Sequence, residues 1–139
     1  MSSAWVIDSS VAFAWVHPAQ ATPKTHSLLE EVEKGAVIVV PSLWFLEIAN
    51  SLLVLQRRKK LTRQERTIAL DTLSKLNLIV DEESSQSAFS KTSELAERYD
   101  LSVYDASYLE VAIRRKLPLA SRDASLNAAA EKIGVKVLD

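Results

Sequence analysis

The chain reads as an α/β sandwich, with helices on both faces of a mostly parallel sheet of four to five strands. Three observations predict it. Short runs rich in β-branched residues alternate with longer segments of helical spacing, the pattern of strand–crossover–strand units with right-handed connections. One run, "AVIVV" at 36–40, is apolar throughout, as expected of a strand covered on both faces. Only two glycines and four prolines occur among 139 residues, too few turn formers for a sandwich of many short strands.

The elements follow in order. "SAWVID" (3–8) is a strand ending at Asp8, and helical spacing runs on through Val11, Phe13, Ala14 and Trp15 until Pro18 stops it. "PKTHSLLEEVEKG" (23–35) is a helix with proline near its start and glycine just past its end. After the "AVIVV" strand and Pro41, "SLWFLEIANSLLVLQRRKK" (42–60) is a long helix, apolar for most of its length and basic at its C-terminal end, which suits the helix dipole. Thr62 and Glu65 form a capping box for "RQERTIALDTLSKL". "NLIVD" (77–81) is a third strand, "SSQSAFSKTSELAERYD" and "SVYDASYLEVAIRRK" are amphipathic helices, and "LPLAS" (117–121) is a fourth strand. A helix capped by Gly134, "DASLNAAAEKIG", and a final strand, "VKVLD" (135–139), complete the series. No repeat, low-complexity segment or linker interrupts it, so 1–139 is expected to be one domain.

Composition excludes several chemistries. Without cysteine there is no disulfide, thiolate zinc site or cysteine nucleophile, which fits a reducing cytosol. No basic n-region precedes the first apolar run, so no secretory leader is expected, and the longest apolar stretch contains Pro41, Glu47 and Asn50, which argues against a membrane span. A net charge of −1 gives no overall attraction to nucleic acid, so a polyanion would need local basic clusters or metal ions.

Four acids stand out. Asp8 ends the first strand and Asp123 follows the fourth, which places both at the carboxyl edge of the sheet, where ligands of open α/β folds bind. Taken singly, each reads first as the N-cap of the helix that follows it. Asp105, three residues after Ser102, has the spacing of a capping box, and Tyr104, Ala106 and Tyr108 suggest that this helix end is half-buried. Glu47 has hydrophobic residues nearly all around its helix and no lysine or arginine three or four positions away; a buried carboxylate there needs a distant partner or a cation. Together the acids would repel unless neutralised, and a hard divalent ion such as Mg²⁺ or Mn²⁺ does this with oxygen ligands. His17 and His26 fall at a helix end and on a polar face, outside any such site.

"VIDSS", "PSLWFLEIANSL", "LSVYDASYLEVA", "LASRDASLNAAA" and "GVKVLD", in this order over essentially the whole chain, resemble the PIN domain, and within it the VapC-type toxins of toxin–antitoxin pairs. The resemblance implies a PIN-like three-layer α/β/α sandwich and a Mg²⁺- or Mn²⁺-dependent ribonuclease with one or two ions per site. It further implies inhibition by a VapB-type antitoxin and a homodimer within a larger assembly. By motif it makes Asp8, Glu47 and Asp105 the metal-binding acids and Asp123 the fourth, with Ser9 and Ser121 as polar supports and Asn50 as a looser match. Arg122 and Lys24 would help to position the RNA backbone.

Other features stay open at this stage. "QRRKK" (56–60) and "RRK" (114–116) suit either helix C-termini or contact with RNA phosphates or acidic partner residues. Trp5, Trp15, Trp44 and Phe45 read mostly as core, while Val11, Trp15, Leu28, Leu29 and Trp44 are candidates for a groove that takes an antitoxin helix. A non-catalytic PIN-like binding protein and a Mg²⁺-dependent phospho-acceptor module are the rival functions. The second lacks the acidic pair that such a module needs after its first strand.

Overall fold

The structure, a computed structural model, describes residues 3–138. Its sheet has four strands, β1 (Ala4–Ile7), β2 (Val37–Pro41), β3 (Leu78–Asp81) and β4 (Leu119–Ala120), in the order β3-β2-β1-β4 and all parallel. Both inner strands are sealed: Val6, Ile7, Ile38, Val39 and Val40 have essentially no solvent exposure, as their unbroken apolar pattern requires. At the β3 edge Ile79 and Val80 remain partly exposed. The expected fifth strand is reduced to a single parallel bridge between Leu119 and Val137, and its last residue, Asp139, lies outside the described residues.

Helices α1 (Ser9–Val16), α2 (Pro23–Glu33), α3 (Leu43–Arg57) and α4 (Arg63–Ser74) pack on one another, and α5 (Ser93–Tyr99), α6 (Val103–Arg115) and α7 (Ala124–Lys132) form a second group. The crossovers explain the division. Chain direction across the sheet reverses after β3, so right-handed connections carry the later helices to the opposite face. Three layers result, as the resemblance implied. Among the described residues no helix is long and apolar enough to cross a membrane.

Local chemistry sets the boundaries. Thr22 and Thr25 cap α2 reciprocally behind Pro23, and Thr62 with Glu65 forms the expected capping box on α4. Gly35 and Gly134 take the left-handed backbone just past α2 and α7, where a side chain would strain the turn.

Three expectations need correction. Helix α3 is not enclosed on all sides: Trp44, Ile48 and Leu52 face the core, while Phe45 is 42% and Leu46 is 75% exposed. Its outer apolar residues are surface, not interior. The segment expected as one helix from 84 to 100 begins with turns and a π-helical turn (Ala88–Thr92), in which Thr92 N–H reaches Ser87 O and the Ser93 hydroxyl bonds Ala88 O. Serines that bond nearby backbone compete with a regular helix, and only α5 survives. Finally, Val11 and Leu28 are buried in the core; of that candidate set Trp15 and Leu29 retain partial exposure, and Trp44, though buried, lines a small apolar cleft with Phe45, Ile48, Leu70 and Leu73.

Candidate active site

The sheet order reverses between β1 and β4, so the carboxyl ends of these strands open a crevice at a topological switch point. Asp8 leaves β1 into this crevice. It caps α1, its Oδ1 accepting from Ser10 N (3.1 Å), Ser10 Oγ (2.6 Å) and Val11 N (3.4 Å). Its Oδ2 accepts from Ser121 Oγ at 2.6 Å, a bond that spans 113 residues and ties the end of β1 to the end of β4. Ser121 Oγ also accepts from Asp123 N (2.9 Å), while Asn127 Nδ2 donates to Ser121 O (2.9 Å) and Asp123 Oδ1 caps α7 through Leu126 N (2.9 Å). The first and fourth acids are therefore caps, as their local sequence suggested, and Ser121 links the Asp8 carboxylate to the backbone of Asp123.

Glu47 and Asp105 approach from the two helical layers. Glu47 lies in the first half of α3 and is half-buried; its Oε1 accepts from the hydroxyl of Tyr108 on α6 at 2.5 Å. Ser9 is near enough to both groups to favour their charged forms. Asp105 sits in the first turn of α6, half-buried, with its N–H bonded to Ser102 Oγ (3.0 Å); only one half of the expected capping box forms. Tyr104 is 65% exposed, whereas Ala106 and Tyr108 are buried, so the half-buried character predicted for this helix end belongs to opposite sides of it.

The electrostatics show that these acids feel one another. Burial pushes the Asp8 carboxyl up to about 6, with the Asp105 charge adding to the rise and hydrogen bonds from Ser10, Ser121 and Val11 opposing it. Burial, then the Asp105 charge, raises Glu47 against the bonds from Tyr108 and Ser9. Burial, then the Asp123 charge, raises Asp105. Burial and the carboxylates of Glu47 and Asp8 hold the Tyr108 phenol in its neutral, donating form. Among the described residues no lysine or arginine is ion-paired with any of the four acids.

The donor set is all oxygen, negatively charged and without an internal counter-ion, which suits a hard divalent cation. As placed, no three acids converge closely enough to enclose an ion among the described residues. Mg²⁺ asks for less, since one or two carboxylates and several waters hold it. Asp8, Glu47, Asp105 and Asp123 fit that demand.

The remaining candidates are less central. Asn50 is exposed one turn beyond Glu47, and Lys24 is exposed at the start of α2. Arg122 donates its backbone N–H to Ser10 Oγ (3.0 Å) and turns its guanidinium to Gln20 Oε1 (3.1 Å). In the "RRK" run the two arginine heads turn to Asp81, with Glu110 and Glu83 also on Arg114, while Lys116 is exposed. "QRRKK" is exposed from Arg57 to Lys60. Sequence reasoning missed Ser10 and Tyr108; the signal for Tyr108 was its position one helical turn from Asp105, on the same face.

The description of the PIN domain matches residues 5–132. No curated protein matches the chain. Among solved structures, PAE2754 from Pyrobaculum aerophilum is 22% identical with a TM-score of 0.68, covering 93% of this chain and 87% of its own. VapBC2 from Rickettsia felis, solved with a promoter DNA fragment, is 13% identical with a TM-score of 0.65 and coverages of 98% and 97%. Mycobacterium tuberculosis VapC20, described as a sarcin–ricin loop cleaving toxin, is 17% identical with a TM-score of 0.60 and coverages of 91% and 95%.

Proposed function

The chain belongs to the PIN domain family, and from that premise we propose that it is a single-domain, Mg²⁺- or Mn²⁺-dependent ribonuclease acting as the toxin of a VapBC-type pair. One observation carries the reading: four acids with no ion-paired lysine or arginine among the described residues lie around the switch point of the sheet, where Ser121 bonds the Asp8 carboxylate and the Asp123 backbone. The toxin–antitoxin names of the structural neighbours support a VapB-type antitoxin as partner, and VapC20 supports RNA as substrate. A homodimer within that assembly and a cytoplasmic setting belong to the same proposal.

Asp8, Glu47 and Asp105 would hold the ion, with Asp123 at its margin. A bound divalent cation supplies positive charge to phosphate oxygens in transit and makes water a stronger nucleophile at neutral pH. The chain does the rest. Ser10 and Ser121 fix both oxygens of Asp8, Tyr108 fixes Glu47, and the acids themselves repel any phosphate not accompanied by a cation. Arg122 beside Ser10 can swing from Gln20 to a backbone phosphate. No side chain needs to form a covalent intermediate.

A second reading, a non-catalytic docking module, draws on the caps that Asp8 and Asp123 provide. Asp8→Asn separates the two, because asparagine also caps helices. Ribonuclease function predicts that the folded variant loses RNA cleavage and growth arrest, and that EDTA silences the parent chain until Mg²⁺ or Mn²⁺ is returned. Undiminished cleavage by Asp8→Asn, or cleavage indifferent to EDTA, would refute it.

A further inference from the structure

We propose that a cleft beside the acids is a nucleobase pocket, which selects the nucleotide next to the point of RNA cleavage. The proposal rests on the ribonuclease reading and gives it a source of specificity. The cleft, about 210 Å³, lies between the starts of α3 and α6 and the π-helical turn. Leu43, Val103 and Tyr104 give it an apolar frame, while Ser42, Thr92 and Ser107 supply hydroxyls. Its volume is below the roughly 300–1,000 Å³ of a site for a drug-sized ligand, a scale that suits a base better than a whole nucleotide.

Two of these hydroxyls, those of Thr92 and Ser42, are uncommitted, whereas Ser84 in the same lining donates to Asp81 O at 3.0 Å. Thr92 is 1% exposed, and its buried oxygen has no hydrogen-bond partner. Buried polar groups are nearly always satisfied, so an orphan lining a cleft points to a ligand that completes it. Ser42 occupies the N-cap position of α3 yet makes no capping bond. The π-helical turn that ends at Thr92 is a distortion often found at functional sites. No lysine or arginine lines the cleft. Neutral groups that both donate and accept suit the edge of a base, whereas a phosphate would call for cations.

Tyr104 supplies the other half of base recognition. It stands at the mouth, 65% exposed, and precedes Asp105 by one residue. On a helix adjacent residues point about 100° apart, so Asp105 turns to the acids while Tyr104 offers its ring to the cleft. A phosphate held at the acids would bring its own base within reach of that ring. Single-stranded RNA is read in this way, by stacking on an aromatic side chain and hydrogen bonding of the base edge.

The test uses the full chain with a stem–loop RNA library randomised in the loop, the cut ends being sequenced and KM and kcat measured on the best substrate. The parent should show a base preference at one position beside the cut. Tyr104→Ala should raise KM about tenfold with kcat little changed, and Tyr104→Phe, which keeps the stacking face, should restore it. Thr92→Val should flatten the base preference; should that variant melt low, Ser42→Ala at an exposed hydroxyl gives the same readout. Anisotropy of labelled loop RNA on the Asp8→Asn chain should show the same tenfold weakening with Tyr104→Ala, independent of chemistry. Cleavage without base preference, or Tyr104→Ala and Thr92→Val with parental KM and preference, overturns the pocket and leaves the ribonuclease standing. A chain that neither cuts nor binds RNA overturns both.

Discussion

Asp8 caps a helix and accepts a bond from Ser121 while buried, and burial outweighs these bonds in setting its titration. Its folded-state value near 6 lies above the 3.8 of the free side chain, so the native chain binds this proton more tightly than the unfolded one. The associated stability is fully present below about pH 3.8 and is lost as pH rises through about 6, a swing of roughly 3 kcal/mol. Metal-free protein should therefore lose stability across that window more steeply than Asp8→Asn, which carries no charge there. Urea melts in EDTA at several pH values read the difference. Equal slopes would contradict the buried, uncompensated charge. Added Mg²⁺ should recover the loss at neutral pH, because the ion favours the ionised form.

At the scale of elements, the second acidic cluster behaves in the opposite way. Asp81 closes β3 with a fully buried side chain, and Arg114 takes it from α6 in two bonds, Nη1 to Oδ2 (3.0 Å) and Nη2 to Oδ1 (2.8 Å). Burial would raise the Asp81 carboxyl, but the bonds and charges of Arg114 and Arg115 outweigh it and hold it at about 2. Its contribution is present above the ordinary aspartate range and disappears only as pH falls through about 2. Asp81→Ala should cost about 2–3 kcal/mol in urea denaturation, below the 3–5 kcal/mol of a fully buried pair because both arginines are about one-third exposed. Mg²⁺ affinity should be unchanged. A loss under about 0.5 kcal/mol would mean that the cluster is screened like an ordinary surface pair. This cluster was invisible in sequence: "RRK" carries no sign that an aspartate 33 residues upstream will turn it inward. The Thr62–Glu65 box was visible because its whole geometry lies within four residues.

Across the whole molecule, legibility followed the range of the interactions. Strand runs and caps are local, so the parallel sheet and most helices could be read from pattern. The four acids stand out in sequence as candidates, but burial is only part of what holds Glu47. Its helix is apolar on the outside as well as the inside, and Tyr108 rather than complete burial restrains the carboxylate. Val11 and Leu28 fell out of the groove candidates for a related cause, since an apolar side chain in sequence does not reveal whether it faces core or solvent. The core itself is continuous from Trp5 to Ala130. Leu109→Ala, at a fully buried position in α6, should lower global stability by about 2–5 kcal/mol, measured by urea unfolding. A cost below about 1 kcal/mol would show that this helix can collapse onto the gap.

The bond between Ser121 and Asp8 also sets a schedule. Ribosomes deliver Asp8 early and Ser121 only 113 residues later, and at about 5–20 residues per second the interval is about 6–23 s. During that time β1 has no β4 beside it, and the acid has neither its serine clamp nor its neighbour Asp123. On the proposed function, a growing chain thus carries the parts of a site that cannot yet cut, a delay written into strand order and not into any inhibitor.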